Sequence, residues 1–354
     1  MDLLIADSNQ PESLNQILSQ TRVVVSTVGP YKKYGTPLVE ACIRQKTHYI
    51  DICGEHTWIK SIIDNFHTQA IENNVMIVNS CGFDSVPSDL GVYMLSNYAK
   101  KVHNSELANV KMSVIKMVGS FSSGTIHSLY GSFSDPSLTS EQKSDPYLLA
   151  TRKGIDKSVL HTLKRDVDFS NLWQSYFIMS SIDEKIVRRS WSIWTDRGQG
   201  YGSQFTYKET MSFDFLTALI TTSLLYSIAL LIKVPFLCEK IKTLFPAYGE
   251  GPDAESRAKG MSHVEFVGTL HGTNISDSED HQPKRIRGIV KGFRDPGYGD
   301  TCRMVIESAL CIIKSFNELP GKEGGVLTPS TAFGNTLLER LQHDGQMLFE
   351  VKDI

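Results

Sequence analysis

The sequence predicts an α/β protein: a parallel sheet over residues 1–100, entered after its first βα unit, followed by a second, α+β domain over residues 101–354. Three observations predict it. Short apolar runs alternate with helical stretches through the first hundred residues, as in a parallel sheet with crossover helices. No strand, glycine-rich turn and helix precede Leu3, although a doubly wound nucleotide-binding sheet begins with that unit. Beyond residue 100 the periodicity weakens and the strand-like runs lie far apart.

In chain order, strands are expected at Leu3–Ala6, Val23–Thr27, Tyr49–Ile52 and Val75–Asn79. Helices are expected around Leu14–Leu18, Pro37–Arg44 and Ile59–Glu72, where apolar residues recur at three- and four-residue spacing. Thr36 is the expected N-cap of the second helix, with Pro37 in its first turn. Right-handed crossovers would open the carboxyl ends of these strands on one crevice. A sheet entered in its middle also presents a formerly internal edge, which predicts cover by another element or by a second copy of the chain, a homo-oligomer.

In the second domain, strands are expected at Val110–Val118, Val187–Trp194, Val264–Leu270 and Ile286–Phe293, then a helix from Gly299 to Phe316 and a short tail. The stretch from Ser132 to Asp168 reads as surface loops and short helices, and Gly249–Pro252 as a connector. The apolar segment 213–237 carries no charge between Phe215 and Ile232, and lysines follow at Lys233, Lys240 and Lys242. That length suits either a buried helix between lobes or a segment in contact with lipid. A spanning helix would part the two lobes, so insertion into one leaflet is the geometry that keeps a joint site.

Charge and cysteine usage exclude several classes. The 36 basic and 39 acidic residues leave no cationic excess for a nucleic-acid backbone. Six cysteines lack metal-site or disulfide-scaffold spacing, and ten histidines include no pair supported by carboxylates, so no metal is expected. The start of the chain lacks the features of an export signal, which predicts an intracellular protein.

Three loops at strand ends carry the chemistry. Ser26-Thr27-Val28-Gly29-Pro30-Tyr31 places a glycine where backbone can approach a ligand and a proline that stiffens the turn, or is an ordinary strand-to-helix turn. Asp51-Ile52-Cys53-Gly54-Glu55 brings a carboxylate and a glycine to the same edge; Asp51 is a hydrogen-bond hub or a site residue. Gly82-Phe83-Asp84-Ser85 leads into a helix whose N-terminus can hold an anion or a polarised carbonyl. Asp7 is placed to meet an adenine amino group or to cap a helix, and Ser123, Gly124 and Thr125 lie after the first strand of the second domain, facing the crevice or forming a hydroxyl-rich turn. Cys53 and Cys81 read as small buried thiols. No general acid is assigned; Tyr31 and Tyr201 are candidates by residue type.

These loops resemble the saccharopine dehydrogenase-like oxidoreductases, a family also similar to trans-acting enoyl reductases. The resemblance rests on Val23–Tyr31, Tyr49–Glu55 and Gly82–Gly91, and continues through Gly249–Pro252, Asp295–Gly299 and Gly324–Pro329. It implies a Rossmann-like domain that binds NAD(P), with Val28, Gly29, Pro30 and Tyr31 lining the nucleotide, Asp7 on the adenine side, and Gly82, Phe83 and Asp84 at the nicotinamide. It further implies that Asp51, Ser123, Gly124 and Thr125 face a small-molecule or lipid substrate, and that the chain associates with lipid droplets or membranes on their cytosolic face. The family's glycine-rich phosphate loop would lie before Met1, which predicts a truncated member with weakened cofactor binding. Two functions follow: NAD(P)-dependent hydride transfer to a lipid-linked carbonyl or enoyl group, or an inactive lipid-surface protein that keeps the fold. Saccharopine itself carries several carboxylates, and the second-domain loops show no arginine cluster to clamp them; Arg188 and Arg189, neighbours on an expected strand, would face opposite sides.

Overall fold

A computed structural model gives the fold and describes residues 3–119, 137–157, 163–231, 253–271 and 283–354. The first half alternates as α1 (Pro11–Leu18), β1 (Val23–Ser26), α2 (Tyr31–Gln45), β2 (His48–Asp51), α3 (His56–Glu72), β3 (Met76–Val78) and α4 (Val86–His103). The strands pair in parallel in that order, Ser26 opposite Asp51 and Ile50 opposite Val78. Parallel neighbours need a crossover between them, and α2 and α3 supply it. Buried Val39, Ile43, Ile59, Ile62 and Phe66 turn these helices onto Tyr49, Ile50 and Ile77 of the sheet.

The second half contributes α5 (Ser140–Ser144), β5 (Lys164–Asp166), β6 (Leu172–Ser175), α6 (Ser180–Asp196), β7 (Thr206–Phe213), α7 (Phe215–Leu231), α8 (Ala254–Ala258), β8 (Met261–Leu270), β9 (Arg285–Gly292), α9 (Thr301–Ser315), β10 (Gly325–Leu327), α10 (Pro329–Gln342) and β11 (Met347–Asp353). Together with β4 (Leu107–Val118), seven strands form a mixed sheet in the order β11-β9-β8-β4-β7-β6-β5. All its pairs are antiparallel except β4 with β7, which run parallel from Asn109–Thr206 to Val114–Met211. The architecture is therefore a parallel α/β sheet joined to an α+β domain.

Helix α4 joins the two sheets. It leaves the third rim loop and then lies along the mixed sheet, packed on β4, β8 and β9. Gly91 makes that approach possible: a Cβ there would stand 2.4 Å from the Phe266 ring. The fourth strand of the parallel sheet is β10, paired with β3 through Val326 and Ile77. Asp89 of α4 holds the returning segment by accepting bonds from Ser330 N at 2.7 Å and Ser330 Oγ at 2.9 Å, at the start of α10.

Four sequence expectations are corrected. Leu3–Ala6 is not a strand: Leu3 and Ile5 are almost wholly exposed and no strand among the described residues pairs with them. Helix α2 begins at Tyr31, with Pro37 inside it; Thr36 does not cap but accepts the Trp58 indole N–H at 3.0 Å. Val187–Trp194 lies within α6, because Ile186, Ser190, Ile193 and their neighbours bury at helical spacing on nearly every side, hiding the polar face that marks a helix. The tail after residue 316 is a strand, a helix and a further strand, since Val326 and Leu327 complete one sheet and Met347 and Phe349 the other.

Candidate active site

The three rim loops meet at the carboxyl end of the parallel sheet. Beyond β1 the chain runs exposed through Thr27, Val28 and Gly29 and turns at a cis Gly29–Pro30 bond. Helix α2 then starts, and its first two N–H groups donate to Glu55 of the second loop, Tyr31 N at 2.8 Å and Lys32 N at 3.0 Å. A carboxylate there satisfies orphan donors and meets the positive end of the helix dipole. The Tyr31 side chain folds back, its hydroxyl donating to Ser26 O at 3.0 Å. Burial drives that phenol far above its usual range.

Asp51 stitches the second loop to the third. Its Oδ1 accepts from Cys53 N at 3.0 Å and Ser80 N at 2.9 Å, and its Oδ2 from Asn79 Nδ2 at 2.7 Å. Of the two readings of Asp51, this is the hub. Burial pushes its carboxyl up to about 6 against these stabilising donors. Ser80 Oγ donates to Cys53 O at 2.6 Å. Phe83 N donates to Thr301 Oγ1 at 3.0 Å, so α9 anchors the third loop from behind. Gly54 faces Asp84, whose Oδ2 would lie 3.9 Å from a Cβ added at Gly54. Burial pushes the Asp84 carboxyl up to about 6.

Val28, Gly29, Pro30, Tyr31, Asp51, Gly82, Phe83 and Asp84 thus converge. Asp7 lies in a turn before α1, where its Oδ1 accepts from Asn9 N at 2.9 Å and Asn9 Nδ2 at 3.1 Å. Ser123, Gly124 and Thr125 lie outside the described residues. Tyr201 is buried away from the rim, its hydroxyl 3.4 Å from Ser330 Oγ. Cys53 and Cys81 are buried free thiols. Arg188 and Arg189 sit on helix α6 rather than a strand. Arg188 binds Asp156 at 2.8 Å and Glu184 at 3.1 Å, while buried Arg189 donates to Leu149 O at 2.6 Å.

Sequence reasoning missed a second set of carboxylates behind Asp84. Asp183, in the first turn of α6, accepts from Ser85 Oγ at 3.0 Å, and Glu209 of β7 accepts from Tyr207 Oη at 2.7 Å. Both acids are buried. Desolvation first pushes both up; repulsion by Glu209 and then Asp84 adds to it at Asp183, and repulsion by Glu184 adds to it at Glu209. The signal lay in β7, where alternation puts Glu209 on the same inward face as Tyr207.

Comparison with known proteins gives the family and the fold. Residues 4–78 match the saccharopine dehydrogenase NADP binding domain family. A Mycobacterium tuberculosis protein described as a candidate trans-acting enoyl reductase is 33% identical over 98% of this chain and 84% of its own. The trans-acting enoyl reductase of Mycobacterium ulcerans is 30% identical over 97% of this chain and 83% of its own. Apo saccharopine dehydrogenase (L-Glu forming) from Saccharomyces cerevisiae shares the fold, with a TM-score of 0.53 at 11% identity over 99% of this chain and 88% of that one. By its rim loops, its fold and these relatives, the chain belongs to the saccharopine dehydrogenase-like oxidoreductase family.

Proposed function

We propose that the chain is an NAD(P)-dependent oxidoreductase that reduces a lipid-linked enoyl or carbonyl group at a lipid surface. The observation that carries the chemistry is the junction of three loops at the carboxyl ends of parallel strands, where α/β sheets take their ligands. The residues fit the planar parts of a dinucleotide. Thr27–Gly29 form an open ledge, a Cβ at Gly29 would touch only the Tyr31 ring, and Gly54 leaves the space before Asp84 open. They fit its phosphates less well at α2, whose first N–H groups are engaged by Glu55. The bound dinucleotide would supply hydride, while Val28, Gly29, Pro30 and Tyr31 hold it and Gly82, Phe83 and Asp84 face its reactive ring. The relatives named as enoyl reductases favour an enoyl substrate. Saccharopine is disfavoured because Arg188 and Arg189 are engaged within the protein.

Lipid contact is supported by α7. One side packs on β6 through Ala218 and Thr222, and Trp173 meets Phe215 with ring centroids 4.9 Å apart. Leu216, Ile220, Leu224 and Leu230 are exposed. An apolar face of that kind suits one leaflet of a bilayer or a droplet monolayer. Among the described residues no helix is long and apolar enough to cross a membrane. The same face favours the second reading, a lipid-surface protein without catalysis. β1 is an edge of its sheet among the described residues, with Val25 partly exposed, which suits a second copy of the chain.

Fluorescence titration of the purified chain with NADPH and NADH separates the two readings. Saturable binding with quenching of protein fluorescence supports the enzyme. Absence of binding at millimolar dinucleotide leaves only the lipid-surface protein.

A further inference from the structure

The buried acids behind the third rim loop are only partly satisfied by their neighbours. Glu209 is fully buried and spends one oxygen on the Tyr207 hydroxyl, while Oε2 has no hydrogen-bond partner among the described residues. An ionised carboxylate with an orphan oxygen in a dry site is strongly unfavourable, so the proton stays on. Asp183 is buried against it, with the Ser85 hydroxyl on Oδ1. The groups facing the pair come from every surrounding element: Asp84 from the rim loop, Ser88 from α4, Glu184 and Arg188 from α6, Tyr176 before it and Tyr207 from β7. Arg188 draws the Glu209 carboxyl down only in part, because burial and Glu184 raise it more and the guanidinium is held by Asp156 and Glu184. Ser85, which donates to Asp183, follows directly in the chain on Asp84, which is half-buried at the crevice.

We propose that Asp183 and Glu209 form a proton store for the reduction, connected to the crevice through Ser85 and Asp84. The inference rests on the reductase reading above. A bound reduced dinucleotide would supply the hydride for one new C–H bond of the alkene and leave oxidised; the electron pair released from the π bond takes its proton from the Asp84 carboxyl to form the other, leaving Asp84 ionised. Asp84 regains its proton from the Ser85 hydroxyl, which turns from Asp183 and takes a proton from the Asp183–Glu209 pair in exchange, and a proton from solvent refills the pair afterwards. In this scheme Asp84 touches substrate; Asp183, Glu209 and Ser85 act through it as positioning residues.

Infrared spectroscopy of the full chain without dinucleotide tests the store alone. Wild type at pH 7 is expected to show a buried protonated carboxyl stretch that shifts in deuterated buffer, and Glu209→Gln and Asp183→Asn are each expected to weaken it. Both acids ionised at pH 7, or a band unchanged in both variants, overturns the store. Should either variant fail to fold, Tyr207→Phe keeps the charge count and is expected to carry the band to higher pH; a band lost at lower pH overturns it. The connection is tested by NADPH oxidation with a long-chain trans-2-enoyl thioester. Ser85→Ala is expected to keep the band and the NADPH affinity and to lose about a hundredfold in turnover; unchanged turnover overturns the connection. No turnover by wild type that binds NADPH would sink the enoyl reading while the infrared result decides the store by itself.

Discussion

The carboxylate of Glu55 caps the helix that starts at Tyr31, its two oxygens 2.8 and 3.0 Å from consecutive backbone nitrogens. The end of β2 thereby fixes the direction in which the chain leaves β1, and two of the three rim loops become one hydrogen-bonded unit. The third joins through Asp51. A ledge built from exposed backbone at Thr27–Gly29 keeps its shape because the residues just after it are held from the neighbouring strand.

Glu55→Ala strands two donors at the start of α2 and is expected to lower stability by about 2 kcal/mol. Glu55→Gln keeps one acceptor oxygen and is expected to lose less. Urea unfolding of both variants checks the order; an alanine variant as stable as wild type would show that the cap contributes nothing.

Gly91→Ala drives a methyl into the Phe266 ring, 2.4 Å away without relaxation. Helix α4 must then lift from β8, at a cost of about 1–3 kcal/mol. Phe266→Leu in the same chain relieves the clash, so the double variant is expected to be less destabilised than the sum of the two singles. Simple additivity in thermal or urea unfolding would contradict the close approach.

The parallel sheet and its three loops were legible in the sequence because each unit is local. Val23–Ser26, His48–Asp51 and Met76–Val78 are short apolar runs, and small residues and carboxylates mark their carboxyl ends. What stayed hidden depended on distant partners. Gly325–Leu327 is too short to read as a strand until β3 lies beside it. Helix α6 is buried on nearly all sides, so its sequence lacks the polar stripe of an amphipathic helix and imitates a strand. With α6 misread, Asp183 had no reason to stand near Glu209, and the acids behind Asp84 went unseen. Leu3–Ala6 failed for the opposite reason: a β-like run forms no strand without a paired neighbour.

Glu209 makes stability depend on pH in a stated direction. Burial and then Glu184 push its carboxyl up to about 8, against about 4.3 in an unfolded chain. Between those values the folded protein holds a proton that the unfolded chain has released, so stability falls as pH rises. The contribution is fully present below about 4 and lost through about 8. Asp183 acts in the same direction. Glu209→Gln removes the titration and is expected to be more stable than wild type at pH 8 by a few kcal/mol, on the order of 1.4 kcal/mol per unit at most. Urea unfolding at pH 5 and pH 8 measures the slope; wild-type and variant curves that stay parallel would contradict it.

The exposed face of α7 gives the most direct test of lipid contact. Leu216, Ile220 and Leu224 recur at four-residue spacing and are 63, 58 and 57% exposed. Because they bury little in the folded chain, changing them to glutamate is expected to alter stability by less than about 0.5 kcal/mol. Lipid binding responds differently, since each charge would enter the acyl boundary where apolar area supplies the affinity. The triple variant Leu216→Glu, Ile220→Glu, Leu224→Glu is therefore expected to stay with the aqueous fraction when wild type floats with phosphatidylcholine vesicles. Ala218→Glu serves as the contrast, because Ala218 is buried and its replacement should unfold the α7–β6 contact rather than only release lipid. Flotation of the folded triple variant equal to wild type would remove α7 as the lipid-facing element.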